Sequence, residues 1–241
     1  PAPQLEADMP LDAAFAALAW QLLSNSQRLA EQYRFNGHWK LLEQWLQQLV
    51  ELRALLGSLG QAAPRASSHE LRERLDALIG DWRPRIEAGQ DDETIRQQAP
   101  GEFATELDQP RWGLFSLKTS LWLWQRGWTS ARNNRGERQG AAELGKWLPR
   151  QLAEEAVALQ LLRYQQQPED LAEQRPRMER LLVWLRLART VLDVPETDRL
   201  YGELSKLYEL AQQPLSEDVL DARVEQARTV WTLKAWKMLT K

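Results

Sequence analysis

The sequence predicts an all-α protein: roughly seven to nine amphipathic helices packed as successive antiparallel hairpins, in a bundle or a short helical-repeat-like array. Three observations carry this. Apolar residues recur at steps of three and four along almost the whole chain of 241 residues. Leu, Ala, Gln, Glu and Arg dominate, and these are strong helix formers, whereas Gly and Pro number only 12 each. No segment alternates β-branched and polar residues between turn signals, as a strand would.

The elements follow in order. Leu11, Ala14, Phe15, Leu18, Leu22, Leu29 and Tyr33 make one stripe, which "NGH" at 36–38 interrupts. From Trp39 the spacing is close to a heptad (Leu42, Trp45, Leu49, Leu52, Leu56, Leu59), so one seam faces a partner helix. "GSLGQAAPRASS" is a connection. Ser67 and Glu70 have capping-box spacing and open a helix through Leu71, Leu75, Leu78, Ile79 and Trp82, which should end or kink at Pro84. From Gly89 to Pro110 the periodicity fails and the stretch reads as a loop. A tryptophan-rich helix starts near Trp112 and fades by Ala131, and "NNRGERQG" is turn chemistry. Further helices are expected from about Glu143 or Pro149 to Gln166, from Pro168 to Leu192 with a kink at Pro176, from Pro195 to Ala211, and from Ser216 to about Leu239. The domain reading is 1–90 as N-terminal helical hairpins, 91–110 as an acidic linker, and 111–241 as a C-terminal helical subdomain, or one domain continuous with 1–90.

Composition excludes several classes. The chain has no cysteine, so disulfides, thiolate metal sites and cysteine nucleophiles are ruled out, while either a reducing or an oxidising compartment remains open. A net charge of −3 argues against a whole-protein footprint for nucleic acid. The longest apolar candidate, "GLFSLKTSLWLW", is interrupted by Lys118 and is shorter than the ~18–20 residues of a membrane span. The start "PAPQLEADMP" lacks the basic and apolar regions of a signal peptide, and reads as a processed end or a boundary inside a longer protein.

Three motifs invite chemistry and none assembles it. "GAAELGKW" matches the spacing of a phosphate-cradling loop, but Trp147 stands where a magnesium-binding hydroxyl is needed and no strand precedes it. "DDET" at 91–94 lacks a second acidic motif. The two histidines, His38 and His69, have no Glu three residues before them, so a helical di-iron site is excluded. No catalytic residue, cofactor or metal is therefore expected, and the chain reads as non-enzymatic.

The distinctive stretch is 111–150. Eight bases (Arg111, Lys118, Arg126, Arg132, Arg135, Arg138, Lys146, Arg150) face two acids there, immediately after a stretch, 90–109, with six acids and one base. The chain holds 12 tryptophans against four Phe and four Tyr. Trp124 and Trp128 are four apart and share a face with Leu117, Leu121 and Leu114, which reads as core, with Trp122 pointing elsewhere. Trp122, Trp184 and Trp236 fall off their stripes and imply a second neighbour. The expected partner-binding surface is Arg126, Trp128, Arg132, Arg135, Arg138 and Trp122. Arg and Trp are both enriched at interface hot spots.

Three uses of this stretch compete. In one, the helix is central and buried on both faces, and the arginines after it pair internally with the acidic stretch. In another, they neutralise phosphate while tryptophan stacks bases, which makes a nucleic-acid-binding subunit. In the third, they dock an acidic protein or an anionic bilayer surface. The leading expectation is a scaffold or accessory subunit that docks protein partners within a larger assembly. Nucleic acid is the second expectation, and a helical ligand-binding or sensory domain the third.

Overall fold

The computed structural model describes residues 5–58, 65–129, 138, 140–165, 171, 173–192, 194–214 and 216–240, with the side chains at 58, 65–67 and 160–165 excepted. The described residues are mostly helical, in ten α-helices and one 3₁₀ turn, with no strand. That is the all-α architecture the periodicity predicts, with one helix more than the upper expectation. The chain divides into two compact units, Asp12–Ala141 and Gln4–Leu11 with Ala142–Lys241.

The first unit holds five helices. In α1 (Leu11–Asn36) the predicted stripe is buried throughout. It ends on Gly37, whose φ of 61° lets its N–H reach back to the Tyr33 carbonyl at 2.8 Å. In α2 (Trp39–Ser58) the heptad positions Leu42, Trp45, Leu49, Leu52 and Leu56 are all buried. Leu59 lies outside the described residues. α3 runs Arg65–Asp91, and its expected start fails here. The helix begins before Ser67, so Ser67 and Glu70 do not open it. It also continues through Pro84, because Leu78, Ile79 and Trp82 before the proline and Ile86 after it are buried on one face. Packing of both halves outweighs the hydrogen bond lost at proline.

The largest correction concerns 91–110. This stretch is a helix, α4 (Glu93–Asp108), inside the first unit rather than a loop between subdomains. Asp92 caps it, accepting from the Thr94 N–H at 2.8 Å. Three residues at spacing four (Ala99, Phe103, Leu107) are its buried ones, and the rest of its surface is polar around Pro100 and Gly101. Three anchors in sixteen residues are too few for periodicity to register. One of them is decisive: Phe103 lies within 4.9 Å, ring centre to ring centre, of Tyr33, Trp45 and Trp82, all in edge-on packing. Burial in this cluster pushes the Tyr33 phenol up to about 12. The acids of α4 pair around it, Glu102 with Arg85, Glu106 with Arg111, and Asp108 with Arg34. α5 (Pro110–Trp124) follows, with proline at its first turn.

The second unit contains α6 (Leu144–Gln165), α7 (Arg175–Leu187), the 3₁₀ turn Arg189–Val191, α8 (Val194–Gln212), α9 (Glu217–Thr232) and α10 (Lys234–Leu239), successive helices packing on one another. Pro176 sits at the start of α7, where its missing N–H costs nothing, and not at a kink. Ser216 caps α9 as its sequence position predicts. The segment before α1 lies against the start of α6: the Leu144 N–H donates to Met9 and the Gly145 N–H to Ala7, each at 2.8 Å. A Cβ on Gly145 would stand 2.9 Å from Ala7, so glycine permits this close approach. That accounts for the second glycine of "GAAELGKW". Trp147, beside it, packs on Trp184 at 4.9 Å.

Two buried charges hold this unit. Glu155 accepts from Arg177 at 3.1 Å and from Arg180 at 2.8 Å. Arg223, 1% exposed, donates to the carbonyls of Leu210, Ala211 and Gln213, closing the end of α8.

Candidate functional site

The stretch after α5 is built by its stop signal. The Gly127 N–H donates to the Trp122 carbonyl at 2.8 Å and the Arg126 N–H to Leu123 at 3.1 Å, the paired bonds of a Schellman motif. The left-handed position of that motif normally falls to glycine. Here it is Arg126, with φ of 48°. Gly127 follows because a Cβ there would stand 2.3 Å from the Trp122 ring. The chain reverses and lays Trp128 against Phe15 at 5.0 Å and Trp122 at 5.1 Å, with its indole N–H donating to Asp12 at 3.3 Å.

This reversal reassigns the expected surface. Trp128 is 1% exposed and belongs to the core of the first unit, so it cannot stack a base or grip a partner. Trp122 is half-buried and also meets Phe15 edge-on at 6.1 Å. Arg126 is exposed at the turn, and Arg138 is exposed. Arg132 and Arg135 lie outside the described residues. Of the four described members, Trp128 is buried, Trp122 half-buried, and Arg126 and Arg138 exposed. Trp184 and Trp236 are buried as well, both within the second unit.

The exposed tryptophan is Trp124, expected in the core. It closes a row along α5: Leu114 is 43% exposed, Leu117 66%, Leu121 48% and Trp124 76%. Their steps of three, four and three place them on one side of the helix. The opposite side carries Trp112, Phe115, Thr119 and Leu123, all buried. α5 thus has two apolar faces, and only the inner one is covered within its unit.

The flanks of the outer row are held. On one side Lys118 pairs with Glu70 of α3, and that bond, with Arg74 adding a second, keeps the Glu70 carboxyl below its ordinary range. Arg111 pairs with Asp81 at 2.6 Å and Glu106 at 3.0 Å. On the other side Gln27 of α1 donates to Ser116 at 2.6 Å and lies 3.5 Å from Ser120. Between α1 and α5 runs an open groove of ≈ 410 Å³, lined by Gln27, Glu31 and Arg34 on α1 and by Gly113, Ser116, Leu117 and Ser120 on α5. Here Glu31 and Arg34 pair at 3.2 Å. The site is therefore an apolar ridge beside a groove floored by small residues, with its nearby charges already neutralised.

Elsewhere the candidate chemistry is spoken for. Asp92 of "DDET" is a helix cap, and His69 faces Glu73 at 3.2 Å. Among the described residues no group of three or more His, Asp or Glu is arranged to hold a metal ion, and no helix is long and apolar enough to cross a membrane. No protein-family model and no curated protein matches the chain.

Proposed function

We propose that this chain is a non-enzymatic helical interaction module that docks protein within a larger assembly, and that its contact face is the outer side of α5. The observation that carries this is the row Leu114, Leu117, Leu121 and Trp124, exposed on a helix whose other face is packed. Together they leave roughly 450 Å² of contiguous apolar surface in water, within the range of the largest patches on ordinary monomers, which often mark contact sites. Tryptophan beside leucines is the composition of a binding hot spot. Helix-in-groove recognition reads side chains at this spacing.

A protein partner suits the face better than a bilayer. A helix at a membrane surface needs cations along its flanks. Here Lys118 is engaged by Glu70, and the other flank carries Gly113 and Ser120. The test is a photo-reactive residue in place of Trp124, activated in cells that express the chain. The reading expects a protein adduct that disappears when Leu117→Gln and Leu121→Gln are combined with it. A lipid adduct alone, or none, would overturn it.

A further inference from the structure

We infer that the outer face of α5 pairs with the same face of a second copy of this chain, antiparallel, about a two-fold axis near residue 119. The inference rests on the proposed docking role of this face and names its occupant.

The first argument is the spacing. Leu114, Leu117, Leu121 and Trp124 occupy a, d, a and d of a heptad. A two-fold axis midway along the row sets Leu117 against Leu121 of the other copy and Leu114 against its Trp124. The row is thus complementary to itself, as an isologous contact requires. Its length is ~15 Å at ~1.5 Å per residue.

The second argument is charge. In coiled coils the positions beside the seam carry the charges that select a different partner. On α5 these positions are Gly113, Lys118, Ser120 and Gln125. An axis near residue 119 sets Lys118 across from Lys118 of the other copy and Ser120 across from its Ser120; each Lys118 is neutralised by Glu70 of its own copy, and small residues on the other flank allow close approach. The same register brings the exposed Arg126, at the end of one α5, to the start of the other, where Asp108 is paired with Arg34 and Arg111 with Asp81 and Glu106. A parallel pair would set Arg126 against Arg126. The antiparallel pair also opposes the two helix dipoles favourably.

The third argument is area. Two copies of the row bury at most roughly 900 Å², the size of a weak, reversible contact. The pairing is accordingly expected in the micromolar range.

The absence of cysteine provides a clean test. Wild-type protein is examined by sedimentation equilibrium from ~1 to ~200 µM, a window that brackets micromolar association. Leu117→Cys and Leu121→Cys proteins are then oxidised separately and as an equal mixture. The expected result is a concentration-dependent dimer, at least ~100-fold weakened by Leu117→Gln with Leu121→Gln. The mixed 117–121 disulfide should form faster than either homodisulfide. A monomer at ~200 µM, a dimer that survives the double substitution, or faster homodisulfides would overturn the pairing. A monomeric chain whose position 124 still captures another protein through Leu117 and Leu121 overturns self-pairing and leaves the docking role standing. A monomer whose position 124 captures only lipid, or nothing, overturns both.

Discussion

The two faces of α5 are made of similar residues and have opposite fates. The inner face spends Trp112, Phe115, Thr119 and Leu123 on the core of the first unit, where the Trp112 ring meets Trp45 at 5.4 Å and Phe115 at 5.8 Å. The outer face leaves three leucines and a tryptophan in water. Nothing in their hydrophobicity distinguishes them. What differs is the neighbours: α4 and α3 reach the inner side and flank, and α1 borders the other flank with Gln27, Glu31 and Arg34. Apolar periodicity marks a face that needs a partner, and topology decides whether the partner is in the same chain.

The strongest way to break the comparison is from inside. Phe115→Ala removes a fully buried ring and should cost about 3–5 kcal/mol in urea unfolding. A loss under ~1 kcal/mol would show that the inner face is not a packed one. Next comes the turn that separates the fates of Trp124 and Trp128. Gly127→Ala places a methyl against the Trp122 ring and should destabilise by about 1–3 kcal/mol, read from the same titration. Arg126→Gly works in the opposite direction. It relieves a left-handed conformation in a non-glycine residue and should stabilise by about 1 kcal/mol in the same titration.

The smallest effect is electrostatic and sharpens the flank. The Glu70 carboxyl is held below its ordinary value by Lys118, then Arg74. A group with a depressed folded-state pKa contributes stability above its unfolded pKa and loses it as pH falls through the folded value. Glu70→Gln should therefore lower Tm slightly at pH ~7 and not at pH ~2. An equal difference at both pH values would remove the ion pair from the account.

The legibility of the sequence followed the same division. Helices with long, even stripes, such as α1, α2 and α8, are readable because one partner face runs their full length. α4 was not, since three anchors and a polar remainder carry no period, although Asp92 before a helical run was an available cap signal. Trp124 and Trp236 depart from their expected places for one shared reason. Periodicity was extended through a break: past Arg126, where Trp128 folds back into the core, and past Leu233, whose extended backbone separates α9 from α10. Of the pair read as one core face, Trp128 is buried and Trp124 exposed, and Trp236 is buried while Trp231, on the apolar stripe of the last helical stretch, is only half-buried. The outer row itself, Leu114, Leu117 and Leu121, was visible in the sequence and assigned to the core. The signal against that assignment was Trp112, Phe115 and Leu123 on the opposite side, a second apolar face that both could not bury unless α5 were central.

The central claim is that the outer face of α5 serves association and not folding. The direct measurement is the Leu117→Gln/Leu121→Gln protein, followed by sedimentation equilibrium and by urea unfolding at a concentration where the wild type is monomeric. Glutamine keeps leucine's helix propensity to within a few tenths of a kcal/mol. The account predicts that self-association is lost while the unfolding free energy of the monomer stays within about 0.5 kcal/mol per site of wild type. Unfolding weakened by several kcal/mol, or association that persists, would contradict it.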